Sequence, residues 1–276
     1  MFQKSALQFW VAACGFTVLL STASPQTSLG AKRQAPKKKI GDNLPAFRAA
    51  DLLASVVHIE SRGGTGTGFW VSENLVVTCH HVVPAGLGSH AIVMLATESH
   101  FELRSEGKGS TTAGNWATVP AEVVSDYPEE DLVLLKTEVS GPQAASRSVV
   151  TTEHGPSTGR YRVSTLFVDE PDQMSPVFLA GFPLSLPYGV VQPGTFAAVT
   201  LGVSFAPGNI KFLVSTVANH GNSGGPVFNS SGQVIGVLEG ALPSVPNVNE
   251  PAIAVSGLAL VIPAARVQEL IDRSKR

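Results

Sequence analysis

Cysteine is nearly absent from this sequence. The chain holds two, Cys14 and Cys79, in 276 residues. If Cys14 leaves with an N-terminal leader, no intramolecular disulfide remains, which argues against a small disulfide-stapled secreted domain. Charge is sparse, at 14% Asp, Glu, Lys and Arg, and it is segregated. No acid precedes Asp42, while Lys4, Lys32, Arg33, Lys37, Lys38 and Lys39 all lie before it. The remaining 13 of the 19 Lys+Arg face 21 Asp+Glu, a net of −8 for the rest of the chain. An acidic body argues against nucleic acid as the main partner. The seven histidines lack metal-ligand spacing apart from the adjacent pair His80 and His81, so neither a metal nor a cofactor is expected. No internal repeat of roughly 20–50 residues is visible.

Long apolar runs are also few, and the first lies at the N-terminus. Residues 6–20 carry no charge, follow Lys4, and precede the small residues Ser21-Thr22-Ala23-Ser24. This predicts a signal peptide over residues 1–24, cleaved near Ala23. The run is short for a membrane span, and an uncleaved anchor is the alternative. Val11-Ala12-Ala13-Cys14 resembles a lipoprotein cleavage box, but the apolar run continues past it to Leu20. Residues 25–49 read as a basic, flexible linker. The expectation is an exported protein, periplasmic or secreted, whose membrane contact is confined to this N-terminal segment. The shortage of cysteine fits a bacterial envelope.

Glycine and proline are plentiful, at 27 and 19, and favour many short strands joined by turns. Strand signals fall at 54–60, 69–71, 75–78, 91–95, 121–124 and 132–135. Residues 140–175 are polar and read as a connection, with one strand at 161–167. Further strands are expected at 177–180, 195–199, 212–216, 226–228, 234–238 and 252–262. Val267, Leu270 and Ile271 have helical spacing and predict a short final helix packed on the second half. The glycines of Gly63-Gly64-Thr65-Gly66-Thr67-Gly68 run into Phe69-Trp70-Val71 rather than opening a helix. They therefore mark a β-hairpin and not a nucleotide loop.

One stretch carries chemistry. Asn219-His220-Gly221-Asn222-Ser223-Gly224-Gly225-Pro226 sets one hydroxyl among glycines. A nucleophilic serine needs its Oγ on a tight turn, with backbone N–H groups converging where an oxyanion forms. A plain glycine turn between two strands is the alternative. His81 follows the buried run Leu75-Val76-Val77-Thr78-Cys79, and Asp131 opens the apolar run Leu132-Val133-Leu134-Leu135. Each signal is weak alone. Together they occur in the order His81, Asp131, Ser223, which excludes the α/β-hydrolase order, serine first.

Here the sequence resembles the chymotrypsin-like serine peptidases, and in particular their bacterial trypsin-like and HtrA (Deg) branch. Thr78-Cys79-His80-His81-Val82 is similar to that branch's Thr-x-x-His-Val, and this spacing selects His81 over His80 as the base. Asp131-Leu132-Val133-Leu134-Leu135-Lys136 is similar to its Asp-Leu-Ala-x-x-Lys. Gly221-Asn222-Ser223-Gly224-Gly225-Pro226 matches the serine motif. The resemblance covers roughly residues 50–275. It implies an all-β fold of two perpendicular six-stranded β-barrels, at about 50–140 and 175–262, within a peptidase domain over 50–276. It implies a His81–Asp131–Ser223 triad with an oxyanion hole at Gly221 and Ser223, acting on proteins or peptides in protein quality control or extracellular proteolysis. The alternatives are an inactive binding scaffold and an acyl-ester hydrolase with the same triad. The HtrA proteins carry a PDZ domain after the protease, and none is expected in the 276 residues that end at Arg276.

The resemblance also frames specificity and activation. The substrate pocket is expected among Val217, Ala218, Leu238, Glu239 and Ala241. Members cleaving after Lys or Arg have an aspartate where Val217 stands, and members cleaving after glutamate have a histidine where Leu238 stands. Glu239 faces either the pocket or the neighbourhood of Asp131. Digestive members pair an aspartate before the nucleophile with a freed N-terminus. Asn222 carries no charge for that pair, so activity is expected without further N-terminal processing.

Overall fold

The computed structural model describes residues 47–84, 89–95, 117–147, 149–152, 155–158, 161–186, 188–201, 209–242 and 257–276. The signal-peptide and anchor readings, and residues 25–46 of the expected linker, lie outside the described residues. Among the described residues no helix is long and apolar enough to cross a membrane.

The first six strands are β1 (Val56–Ser61), β2 (Gly64–Trp70), β3 (Leu75–Cys79), β4 (His90–Leu95), β5 (Ala117–Tyr127) and β6 (Leu132–Thr137). They close into an antiparallel barrel in the order β1-β2-β3-β6-β5-β4. Alternation makes this possible. Ala91, Val93 and Leu95 on β4 and Val119, Ala121 and Val123 on β5 point inward and are buried, between exposed or half-buried neighbours. β6 departs from alternation, since Leu132, Val133, Leu134 and Leu135 are all fully buried. One face lies in the barrel and the other beneath the C-terminal helix.

The connection holds more structure than its composition suggests. It contains α2 (Gly141–Arg147) and a hairpin of β7 (Val149–Thr152) and β8 (Gly155–Thr158). The strand expected at 161–167 reduces to one parallel bridge, Leu166 to Val234. Its backbone serves both barrels instead: Ser164 N–H donates to the Trp70 carbonyl at 2.9 Å and Phe167 N–H to the Val234 carbonyl at 2.8 Å.

A second closed antiparallel barrel is built from β9 (Pro176–Gly181), β10 (Val190–Leu201), β11 (Ile210–Ser215), β12 (Pro226–Asn229), β13 (Val234–Ala241) and β14 (Leu258–Pro263). Its order is β10-β11-β14-β13-β12-β9. The architecture is thus the chymotrypsin-like pair of six-stranded barrels. Residues 252–256 of the last expected strand lie outside the described residues.

Two helices cross between barrels. α1 (Ala49–Leu53) precedes β1, and its Leu52 is fully buried in the core shared with Ala180 and Phe182. The linker reading through residue 49 is corrected here. The Phe47 ring meets Phe178 edge-on with centroids 5.1 Å apart, and the Arg48 N–H donates to the Asp51 carboxylate at 2.9 Å. α3 (Ala264–Arg273) follows β14 but does not pack only on its own barrel. Its fully buried Val267 and Leu270 join the first barrel's core, against β5 and β6. Burying two such side chains contributes about 1.5–3 kcal/mol each. Arg273 lies 3.5 Å over the Tyr127 ring of β5.

Candidate active site

β3 is buried along four of its five residues and ends at Cys79, after which His80–Val82 form one short 3-10 turn. That turn sends the two adjacent histidines to different partners. His80 Nδ1 lies 2.7 Å from Asp126 Oδ1 on β5, and the pair is half-buried. His81 Nδ1 lies 2.7 Å from Asp131 Oδ2. The His81 main-chain N–H also donates to Asp131 Oδ1 at 2.8 Å. Both oxygens of one carboxylate therefore grip one histidine. Asp131 is 4% exposed and sits at φ 58°, a left-handed conformation that aspartate tolerates better than most residues. It follows the turn Pro128–Glu130, and its own carbonyl accepts the His80 N–H at 3.0 Å.

Ser223 comes from the other barrel, in the loop before β12. Gly221 (φ 90°) and Gly224 (φ 85°) occupy left-handed backbone, and space forbids any other residue there. A Cβ on Gly221 would lie 2.3 Å from the Phe182 carbonyl oxygen, and one on Gly224 would lie 2.1 Å from that of Thr67. Gly224 N–H donates to the Leu238 carbonyl and Leu238 N–H to the Gly225 carbonyl, both at 2.8 Å. The Ser223 hydroxyl donates to the Glu239 carbonyl at 3.1 Å. Among the described residues, the N–H groups of Gly221 and Ser223 donate to no partner. Asn222 is 1% exposed, and its side-chain amide makes no hydrogen bond among the described residues.

The five expected pocket residues do not line one wall. Val217 is 60% exposed and open to a ligand, and Ala218 packs beside it on the second barrel's core. Ala241 is half-buried at the end of β13. Leu238 and Glu239 need correction as pocket residues. Leu238 is fully buried inside the second barrel. The ladder between β13 and β14 slips between Leu238 and Gly240, so Glu239 is the extra residue of a bulge. Its side chain is 1% exposed and turns inward, with Oε2 3.4 Å from Lys211 Nζ. The same ammonium lies 3.9 Å from Oε2 of Glu130, the residue before Asp131.

Cys79, His81 and Asp131 bring ligand atoms within 4.8 Å of one another. The donor set suits a metal poorly. Burial first, then the two carboxylates, push the Cys79 thiol well above its usual range, and it donates to the Leu238 carbonyl at 3.3 Å. A neutral thiol is not the thiolate that a metal takes.

Thr67 of β2 and Lys211 of β11 are the residues that sequence reasoning missed. Thr67 looked like one more hairpin residue, yet it makes two hydrogen bonds to the serine loop and a third to the residue after β9. Its N–H donates to the Ser223 carbonyl at 2.8 Å. Its hydroxyl donates to the Gly221 carbonyl at 2.6 Å and accepts the Phe182 N–H at 3.0 Å. Lys211 is a single charge in the apolar run Ile210-Lys211-Phe212-Leu213-Val214, and that isolation was the available signal.

The family model described as Trypsin-like peptidase domain matches residues 66–237. The chain is 26% identical over 209 residues to the "Probable periplasmic serine endoprotease DegP-like" of Brucella suis biovar 1, covering 75% of this chain and 32% of that protein. It is 27% identical over 222 residues to "Serine protease Do-like HtrA" of Lactobacillus helveticus, covering 79% of this chain and 42% of that one. It thus spans about a third of the length of the periplasmic relatives it matches. The fold is similar to that of the Rv3671c protease of M. tuberculosis in its inactive form, with a TM-score of 0.54 and 21% identity over 82% of this chain and 92% of that one. From the match over residues 66–237 and the two barrels that carry it, the chain belongs to the trypsin-like peptidase family.

Proposed function

We propose that the protein is an exported serine endopeptidase that cleaves peptide bonds through an acyl-enzyme. Ser223 is the nucleophile, His81 the general base and then acid, and Asp131 its partner. The amides of Gly221 and Ser223 receive the oxyanion. The observation that carries this reading is the double grip of the Asp131 carboxylate on His81, through the ring at 2.7 Å and the main-chain N–H at 2.8 Å. A carboxylate only accepts hydrogen bonds, so Nδ1 holds the proton and Nε2 keeps a lone pair.

The steps follow from that tautomer. The Ser223 hydroxyl leaves the Glu239 carbonyl by rotation about its side-chain bond and gives its proton to His81 Nε2. Its Oγ bonds to the substrate carbonyl carbon, and the carbonyl oxygen takes the negative charge between the two amides. Removing one such oxyanion donor costs about 10²–10³ in kcat in related chemistry. The tetrahedral adduct collapses, the C–N bond breaks, and the imidazolium returns its proton to the leaving amine. Water repeats the sequence on the acyl-enzyme, releasing the acid and restoring Ser223.

The place of action is proposed from two supports, the charge-free N-terminal run and relatives described as periplasmic. Protein substrates outside the cytoplasm, in quality control or extracellular proteolysis, fit both. Ser223→Ala tests the reading. It is expected to melt like the parent, lose labelling by a fluorophosphonate probe, and lose nearly all peptide turnover. Retained peptidase activity in that variant would overturn it.

A further inference from the structure

Buried charge collects at one place behind the proposed triad. Lys211 is fully buried on β11. Its Nζ lies 3.4 Å from Glu239 Oε2, 3.9 Å from Glu130 Oε2 and 3.5 Å from the Glu130 carbonyl. Arg266 of α3 completes the group, with Nε 3.2 Å from Glu130 Oε1. Burial pushes the Glu130 carboxyl up, and Arg266 and Lys211 pull it partway back.

The members of this group come from different parts of the chain. Glu130 immediately precedes Asp131 and belongs to the first barrel. Glu239 belongs to the second, and its carbonyl accepts the Ser223 hydroxyl at 3.1 Å. Lys211 spans the seam between them. Asn209, two residues earlier, donates its side-chain amide to the Glu129 carbonyl in the same turn. A buried ammonium is costly, and an apolar side chain of equal volume would fill the space at less cost. What the ammonium adds is a directional hold on the Glu130 carbonyl and on the carboxylates of Glu130 and Glu239.

We propose that Lys211 is a positioning residue, tying the Asp131 turn of the first barrel to the Glu239 bulge of the second so that His81 and Ser223 meet at reacting distance. This rests on the triad reading above. The hold matters because a misplacement of about 1 Å costs on the order of a hundredfold in rate. Lys211 touches neither the substrate nor the reacting atoms; it acts through Glu130 and Glu239.

The test is a double-mutant cycle on the full chain, with Lys211→Met, Glu239→Gln and the pair together, read by peptide turnover. Each single variant is expected to lower kcat about tenfold or more while KM stays within about twofold. The double variant is expected to fall no further than the worse single one, because both changes cut one tie. Multiplying effects, or parental kcat in either folded single variant, would overturn the proposal. If Lys211→Met does not fold, Glu239→Gln alone decides, by the same split between kcat and KM. Ser223→Ala, run beside them, separates the two readings. Turnover in that variant sinks the triad, whereas inert Ser223→Ala with unaffected Lys211 and Glu239 variants sinks the positioning role alone.

Discussion

The main-chain N–H of Thr67, on the first barrel, donates to the carbonyl of Ser223, on the second, at 2.8 Å. The hydroxyl of the same residue donates to the Gly221 carbonyl of that loop and accepts the N–H of Phe182, the residue after β9. The Thr78 hydroxyl in turn donates to the Thr67 carbonyl at 2.7 Å. The serine loop is therefore registered against β2 and β3, the strands that lead to His81.

Thr67→Val keeps the shape and removes the hydroxyl. It leaves the Gly221 carbonyl and the Phe182 N–H short of a partner in a dry place, at about 1–3 kcal/mol for each buried group left unsatisfied. Thermal melting is expected several degrees lower, and kcat is expected to fall with it. A melting point within a degree of the parent would show that the hydroxyl does not hold the loop.

The adjacent histidines should separate cleanly. His81→Ala is expected to abolish turnover. His80→Ala loses only the contact to Asp126, 2.7 Å away, and is expected to keep most of kcat. Steady-state kinetics on the two folded variants checks this, and equal losses would contradict it.

His58 gives a pH dependence with a definite sign. It is 5% exposed and its ring lies 5.4 Å from that of Phe182. Burial lowers its pKa from the ordinary 6.5, and Glu60 opposes the shift only in part. The unfolded chain thus binds this proton more readily than the folded one. The neutral ring contributes stability above the unfolded value, and that contribution is lost as pH falls toward the folded one. As pH falls from about 7.5 to about 5.5, the urea midpoint of the parent should drop relative to that of His58→Leu. A constant gap would count against a buried neutral ring.

The residue before the scissile bond should be Val, Ala, Leu or Ile. With the Glu239 carboxylate turned inward onto Lys211, the exposed Val217 and neighbouring Ala218 offer a lysine no counter-charge. Desolvating an unpaired cation there costs several kcal/mol, whereas an aliphatic side chain gains about 1.5–3 kcal/mol on burial. A substrate-library profile dominated by Lys or Arg would refute it.

What was legible in the sequence was local. Gly221 and Gly224 announce the serine loop because left-handed backbone and close approach leave no other choice. β4 and β5 are readable because one face is wet and the other dry. What stayed hidden depends on partners distant in sequence. Glu239 could be placed only once a bulge in β13 turned it toward Lys211. Residues 141–147 form a helix inside a polar stretch with no apolar period to reveal it. Phe47 looked like the end of a linker until Phe178 supplied the other ring.

The position of α3 sets an order of events in synthesis. The helix is made after all six strands of the second barrel, yet its Val267 and Leu270 complete the core of the first. Arg266, the partner of the turn that carries Asp131, arrives with it. During translation the earlier barrel thus waits on the later one, with its hydrophobic flank uncovered and the aspartate's turn short of one contact. A nascent chain that has emerged only through β13 lacks part of what holds the proposed active site, so synthesis runs ahead of its assembly.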